Sequence, residues 1–315
     1  MTDNSGVPIV SRRLVLAAGG AAAARIEGAV AGGIIDTHTH FYDPARPEGV
    51  PWPPKGDPVL YRTVLPEEFR RIAGPLGVTA TVAVEASPWI EDNQWLLDLA
   101  KREPVIAGVV GHLDPEARSF PRLLERFAAN PLFKGIRLNQ GRLLQKGAGG
   151  SSGALIGGLR RMASAGLQID ILGGPAALAP LVRINDAVPD LRIVIDHMPF
   201  DAPRETGARG EYEDALRELE SRKPVYAKVS GVLRRVDGNV PAGSGFHRRS
   251  LEQLWSVFGP TRLLYASNWP VSDRVAPYRD VLEVVRGFFA GQGEEASARF
   301  FRWNAAAAYR VTAAG

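Results

Sequence analysis

The residues with the clearest chemical potential lie together near the start of the chain. Asp36-Thr37-His38-Thr39-His40 follows the apolar pair Ile34-Ile35 and reads as the end of a β-strand. Alternate strand residues share a face, so Asp36, His38 and His40 are expected to point to one side. Two imidazoles presented together can hold one divalent ion or orient one polar substrate group. Chance pairing of two surface histidines is a weak explanation, because the chain has only five.

Further candidates are single residues at the ends of apolar runs. Glu85 closes TATVAVE, where an ionised carboxylate is costly unless it is paired or ligating. Asp170 lies between Ile169 and Ile171 and is expected to face an interior, as an acid–base group or bridged to Lys228. His112 ends VVGH and either lines a pocket or caps a turn. Asp196 precedes His197 in VIDH, so strand parity directs it away from a site that His197 serves. Trp52, Trp89 and Trp269 are candidate pocket walls. Cysteine is absent, which excludes disulfides, thiolate ligands and a cysteine nucleophile.

These residues need elements to position them, and the chain supplies eight. Short apolar runs rich in β-branched residues occupy 34–40, 78–85, 105–112, 133–138, 167–172, 191–197, 225–230 and 263–267. Amphipathic stretches such as NQWLLDLAKR, RLLERFAA, YEDALRELES and LEQLWSVF lie between them, with apolar positions at three- and four-residue spacing. Successive runs start 24 to 44 residues apart, room for a right-handed crossover each time. Near-continuous apolar strands alternating with helices predict a parallel sheet buried on both faces. Eight of them predict closure into a (β/α)₈ TIM barrel. An open doubly wound sheet is the competing arrangement, but no Gly-rich phosphate loop follows the first strand.

In such a barrel, loops that follow strands lie on the C-terminal face, where chemistry belongs. Three are long: residues 41–62, with six of the 24 prolines; 141–153; and 231–247. They are candidate lids. Loop arginines Arg142 and Arg234 are placed to hold a carboxylate or a polyol.

The N-terminus reads as an address and not as fold. Ser11-Arg12-Arg13-Leu14-Val15-Leu16 is a twin-arginine sequence, followed by a small-residue run at 17–24 and an A-x-A cleavage signal at Ala29-Val30-Ala31. Residues 1–31 are therefore expected to be a twin-arginine signal peptide, and 32–315 a single barrel domain. The protein would be periplasmic or secreted, and cytoplasmic if the signal is not used. The apolar run is too short to span a bilayer, so stable membrane insertion is not expected. Net charge is +4 and the basic residues are spread, with no basic stripe interleaved with aromatics, which argues against nucleic acid as a partner. The expected partner is a small-molecule substrate, with homo-oligomerisation open.

Several motifs in order resemble one family. IIDTHTHFYDP, VIDHMPFD, AKVSG, YASNWPV and the closing RFFRWNAAAAYR are similar to the amidohydrolase superfamily, of metal-dependent-hydrolase type. Within it they resemble the amidohydrolase-related (amidohydrolase 2) family, in the lactonase branch that includes pyrone-dicarboxylate lactonase and fuconolactonase. They run from about residue 34 to 310 and are specific for fold but not for substrate. The resemblance implies that His38 and His40 line the site and, with His197, are candidate metal ligands for an ion such as zinc. It implies that His197 contacts a substrate carbonyl or that ion. In Gly135-Ile136-Arg137 it places Arg137 at the mouth, where a guanidinium can pair with a carboxylate or bind a hydroxyl.

One departure stands out. The family's last-strand motif is usually S-D-W-P, its aspartate acting as base toward water; here it is Ser267-Asn268-Trp269-Pro270. An amide has no useful basicity near neutral pH, so Asn268 can orient water or a hydroxyl but cannot take its proton. Three readings stay open: another base (Glu85 first, then Asp170), an unusual reaction, or binding without catalysis. The expected activity is hydrolysis of a small sugar-acid or pyrone-type lactone, with Arg137, Arg142 and Trp269 contacting substrate. A divalent metal is compatible with it but not required. A metal-dependent decarboxylase on the same barrel and a non-catalytic periplasmic sugar-acid binding protein are the alternatives. Asn268 counts against the decarboxylase, whose relatives use that aspartate as a ligand.

Overall fold

The computed structural model describes residues 33–144, 152–197, 203, 205–235, 237–241 and 244–311, the side chains of 244–246 excepted. The signal-peptide reading of residues 1–31, and most of the expected loop at 141–153, fall outside the described residues.

Eight strands form where the apolar runs predict them: β1 Ile34–Thr39, β2 Val78–Val84, β3 Ile106–Gly111, β4 Phe133–Asn139, β5 Gln168–Leu172, β6 Ile193–Asp196, β7 Val225–Val229 and β8 Leu263–Tyr265. All pairings are parallel and each strand pairs with the next in sequence. Closure falls just beyond β8. Thr39 bridges Trp269, the His40 N–H donates to the Trp269 carbonyl at 2.9 Å, and the Asn268 N–H donates to the His38 carbonyl at 3.0 Å. The barrel is thus shut by the same two segments that carry the His-x-His and Asn268.

The outer helices are α1 Pro66–Ala73, α2 Ile90–Arg102, α3 Phe120–Ala128, α4 Gln140–Leu144, α5 Gly153–Ser164, α6 Leu178–Ala187, α7 Thr206–Glu220, α8 Ser244–Phe258 and α9 Tyr278–Ala290. Several of them bury one face. In α3 the buried residues are Phe120, Leu124 and Phe127, the spacing of one helical face. Gly135 is needed because β4 and β5 approach closely: a Cβ there would strike the Gln168 carbonyl.

The N-terminal end of the barrel is plugged. Helices α10 Glu294–Ala298 and α11 Asn304–Tyr309, joined by a π-helical turn, close the chain. Ala305, Ala308, Tyr309 and Val311 pack on inward-facing Ile35, Val82, Val110 and Leu264. Alanine gives α11 a surface flat enough to sit against strand ends. Asn304 donates to the Pro260 and Leu263 carbonyls (2.9 and 2.8 Å), Arg192 to Ala308 (2.9 Å) and Lys134 to Arg310 (3.0 Å). With α11 packed across that end, the described residues leave the C-terminal face as the side open to a ligand. Among the described residues no helix is long and apolar enough to cross a membrane.

Candidate active site

His38 and His40 both project inward from β1. The His40 Nδ1 is 3.0 Å from the Val84 carbonyl, and the two Nε2 atoms are 3.1 Å apart. His197 comes from the end of β6, its ring 4.5 Å from that of His38 between centroids. Its Nδ1 is held by the Ser230 hydroxyl at 2.5 Å. Trp52, from the long loop after β1, covers His40 with rings 5.7 Å apart.

Asp36 does not join them. Its carboxylate accepts from the backbone N–H groups of His38 (3.1 Å) and Ser267 (2.9 Å), and from the Tyr278 hydroxyl (2.9 Å) on α9 outside the barrel. The register of β1 against β2 shifts between Asp36 and Thr39, so simple alternation fails there. Burial pushes its pKa up to about 6.

Beneath His38 lies a fully buried charged cluster. The Lys228 Nζ is 2.6 Å from Asp170 Oδ2, 2.8 Å from Asp196 Oδ1 and 3.1 Å from His38 Nδ1. Tyr309, from the plug, donates to Asp170 at 2.9 Å. Asp170 therefore faces the interior and meets Lys228, one of the two placements its strand position allowed. Asp196 corrects the parity argument: its Oδ1 is 3.3 Å from His38 Nδ1, inside the site. The cause is His197, whose φ of 49° turns the chain so that both neighbours point inward. Burial raises the Asp196 pKa, but Lys228 and His38 outweigh it and hold the carboxyl well below its ordinary value.

Burial also decides the histidines. It lowers His40 to about 3, with Arg137 adding to the effect, and His197 to about 4. It drives His38 well below 6.5, with Lys228 reinforcing it. The three rings are neutral at neutral pH, able to donate or accept without carrying charge.

At the rim, Arg137 donates from Nε to Glu85 Oε1 at 2.8 Å and from Nη2 to the Glu85 carbonyl at 2.9 Å. Its Nη1 lies 4.0 Å from Asp196 Oδ2, linking the rim to the buried cluster. Burial raises the Glu85 pKa while Arg137 opposes it. The pair opens into a hollow of about 230 Å³ lined also by His112, Asn139 and Arg142. Arg142 pairs with Asp114 (2.8 Å) and Glu116 (3.1 Å). It sits in that hollow, with no contact to the histidines.

Two of the last-strand residues behave differently from one another. Asn268 adopts φ 61°, and its Oδ1 is buried without a hydrogen-bond partner among the described residues. Trp269 is turned outward, packed between Phe41 and Phe69 with Arg62 over its ring, and is not a pocket wall. Trp89 is exposed at the rim.

Two imidazole Nε2 atoms converge, but among the described residues no three His, Asp or Glu side chains form a group that would hold an ion. Lys228 already stands among the two carboxylates and His38. As arranged, these residues do not fit a metal centre.

Sequence reasoning turned Asp196 away from the site and missed Ser230 and Tyr309. Ser230, in the AKVSG motif at the end of a predicted strand, was the one with a readable signal. Tyr309 reaches its partner across 139 residues of sequence, and nothing local announces that.

Comparison with known proteins agrees with this architecture. The amidohydrolase family profile matches residues 35–311. The chain is 31% identical over 295 residues to an L-fucono-1,5-lactonase of Burkholderia ambifaria, covering 88% of this chain and 95% of the relative. An amidohydrolase of Burkholderia multivorans, crystallised with bound HEPES, superposes with a TM-score of 0.76 at 26% identity, covering 88% of this chain and 99% of the other. A second crystal form of it, with bound zinc, gives 0.75 at the same identity and coverage.

Proposed function

The chain belongs to the amidohydrolase family, and from that premise we propose that it opens the ring ester of a small sugar-acid lactone by attack of water. The observation that carries this is the meeting of three neutral imidazoles beside the Glu85–Arg137 pair at the open end of the barrel. The similarity to an L-fucono-1,5-lactonase supports the substrate class.

The chemistry follows from the groups present. Lactone opening needs a base for water and donors for the carbonyl oxygen as it becomes an oxyanion. Glu85 is the base: its burial raises its proton affinity, while Arg137 and the Ser87 backbone N–H hold its carboxylate in place. His38 and His197 are the donors. Water adds to the carbonyl carbon as its proton passes to Glu85. The ring C–O bond then breaks, and that proton returns to the departing ring oxygen, giving the open hydroxy acid. Arg137, Arg142, His40 and Asn268 bind the substrate's hydroxyl groups. Asp170 acts only through Lys228.

The same reading has the protein exported, with residues 1–31 removed and the substrate met outside the cytoplasm. Replacing Arg12 and Arg13 by Lys is expected to retain the protein in the cytoplasm, checked by cell fractionation.

A panel of aldono- and pyrone-type lactones in a pH-indicator assay tests the activity. Hydrolysis of at least one sugar lactone is the expected result. No turnover on any member, with or without added zinc or manganese, overturns the proposal and leaves a binding protein as the better account.

A further inference from the structure

The hydrogen bonds around His38 and His40 have two ends whose roles chemistry fixes. At one end the Val84 carbonyl can only accept, so His40 carries its proton on Nδ1. A neutral His40 then has a bare Nε2. His38 Nε2, 3.1 Å away, must supply the proton between them. At the other end Lys228, an ammonium set between two buried carboxylates, can only donate. A proton on His38 Nδ1 would oppose donor to donor across 3.1 Å, so that nitrogen is bare. Both ends demand the same arrangement: Lys228 donates to His38, His38 to His40, and His40 to Val84.

Asp196 Oδ1 lies 2.8 Å from Lys228 Nζ and 3.3 Å from His38 Nδ1, so it is the acceptor to which the His38 proton would turn if the ammonium were removed.

We propose that Lys228 is a positioning residue that keeps the proton of His38 on Nε2, so that His38 meets the lactone carbonyl as a hydrogen-bond donor. In the free protein that donor rests on His40. When substrate enters, the carbonyl oxygen replaces His40 as its acceptor. The ammonium behind the ring strengthens the donor as negative charge builds on the oxygen, because a ring accepting at Nδ1 donates better at Nε2. Lys228 thereby supplies, one ring removed, the positive charge that an oxyanion needs. Asp170 and Asp196 hold it in place. No bond to Lys228 forms or breaks, and its proton stays with it.

The inference rests on the lactonase reading only for the identity of the acceptor; the tautomer is a property of the free protein. Histidine-selective ¹⁵N labelling of the full chain, with correlation of ring nitrogens to ring protons, reads that tautomer directly. His38→Asn and His40→Asn spectra provide the assignments. The expected result is opposite tautomers in the wild type, Nε2–H on His38 and Nδ1–H on His40. Lys228→Met is expected to move the His38 proton to Nδ1, where Asp196 accepts it. Turnover should fall about 10²-fold, the usual cost of an oxyanion donor, with KM nearly unchanged.

Nδ1–H on both rings of the wild type would signal a cation held between the two Nε2 atoms and overturns the proposal. An unmoved His38 proton in Lys228→Met overturns it equally. If Lys228→Met does not fold, the wild-type spectrum alone decides. Opposite tautomers in a protein that hydrolyses no lactone would sustain the arrangement and reject the substrate.

Discussion

The barrel carries two groups of charges, one buried and one at its lip, and they are built on opposite principles. In the buried group Lys228, Asp170, Asp196 and His38 are all without solvent exposure, and each of the first three touches at least one of the others within 3 Å. At the lip, Glu85 and Arg137 retain 14% and 13% of their side-chain surface, and Arg142 about a third. A buried ion pair is costly to assemble and costlier to break, but it fixes geometry and proton positions. The rim pair keeps an edge to solvent, so its groups can exchange partners when a ligand arrives. The contrast assigns positioning to Lys228, Asp170 and Asp196, with His38 as the group they position, and proton transfer to Glu85 at the lip.

The largest expected effect lies at the rim. Glu85→Gln should cut turnover by about 10² to 10⁴, the range of a positioned general base, while ligand affinity holds. Burial raises the Glu85 pKa, so part of the activity lost on acidification belongs to its protonation and should be missing from the Glu85→Gln residual rate, whereas the contributions of Asp36 and Asp170, both raised to about 6, remain in both proteins. Steady-state kinetics across pH, with calorimetric binding of the product, measure both. Unchanged turnover would reverse the division of labour.

Breaking the buried group should act on folding. Asp170→Asn preserves shape but leaves Lys228 with one carboxylate, and is expected to cost about 3 to 5 kcal/mol in urea denaturation, the penalty for removing one partner of a buried pair. A loss under about 1 kcal/mol, the value of an exposed pair, would show that the cluster is open to water.

A third effect comes from the histidines. The folded pKa of His197, about 4, is depressed below its unfolded value of 6.5. The unfolded chain therefore binds the extra proton between those values. The stability this neutral ring contributes is present above pH 6.5 and is lost as pH falls toward 4, by about 2 kcal/mol at pH 5. His38 and His40 add to it with the same sign, and Asp36 and Asp170, both raised to about 6 by burial, act with the opposite sign, so the wild-type profile alone mixes them. His197→Asn isolates the term: its stability should fall about 2 kcal/mol less than the wild type's between pH 7.5 and pH 5. An equal fall in both would mean that the ring is hydrated.

How far these groups could be read from sequence follows the range of the forces involved. The eight strands were legible because a strand buried on both faces must be apolar along its length, and the assigned strands lie almost wholly within those runs. His38, His40, Glu85 and Arg137 were legible because each stands at a strand end, where a barrel places its chemistry. Asp36 and Asp196 were misjudged for one reason. Parity arguments assume regular strands, and a register shift in β1 and a left-handed His197 break regularity where the site begins. The register shift leaves no mark in residue type, and although histidine enters the left-handed region more readily than most residues, nothing in the sequence says that His197 does so. Trp269 was misread because its motif suggested proximity to the site, whereas its ring satisfies the apolar contacts of Phe41 and Phe69.

The smallest expected effect sharpens the comparison most, because it separates substrate binding from structure at the rim itself. Arg142 lies in the hollow with Glu85 and Arg137, paired with Asp114 and Glu116, its side chain 32% exposed. Pairs of that exposure are worth about 0 to 1 kcal/mol, so Arg142→Gln should leave thermal stability almost unchanged. It is remote from the histidines, so turnover at saturation should hold as well. Its guanidinium offers donors in the hollow that a substrate hydroxyl or carboxylate can take up, and glutamine retains fewer of them and no charge. KM should therefore rise several-fold at constant kcat, the signature of binding that is equal in ground and transition states. The rise should be steeper for a lactone carrying a carboxylate than for a neutral sugar lactone, since the lost charge matters only to the former. A fall in kcat without a change in KM would instead place Arg142 with the reacting atoms, and the rim would then hold two kinds of group where the present division has one.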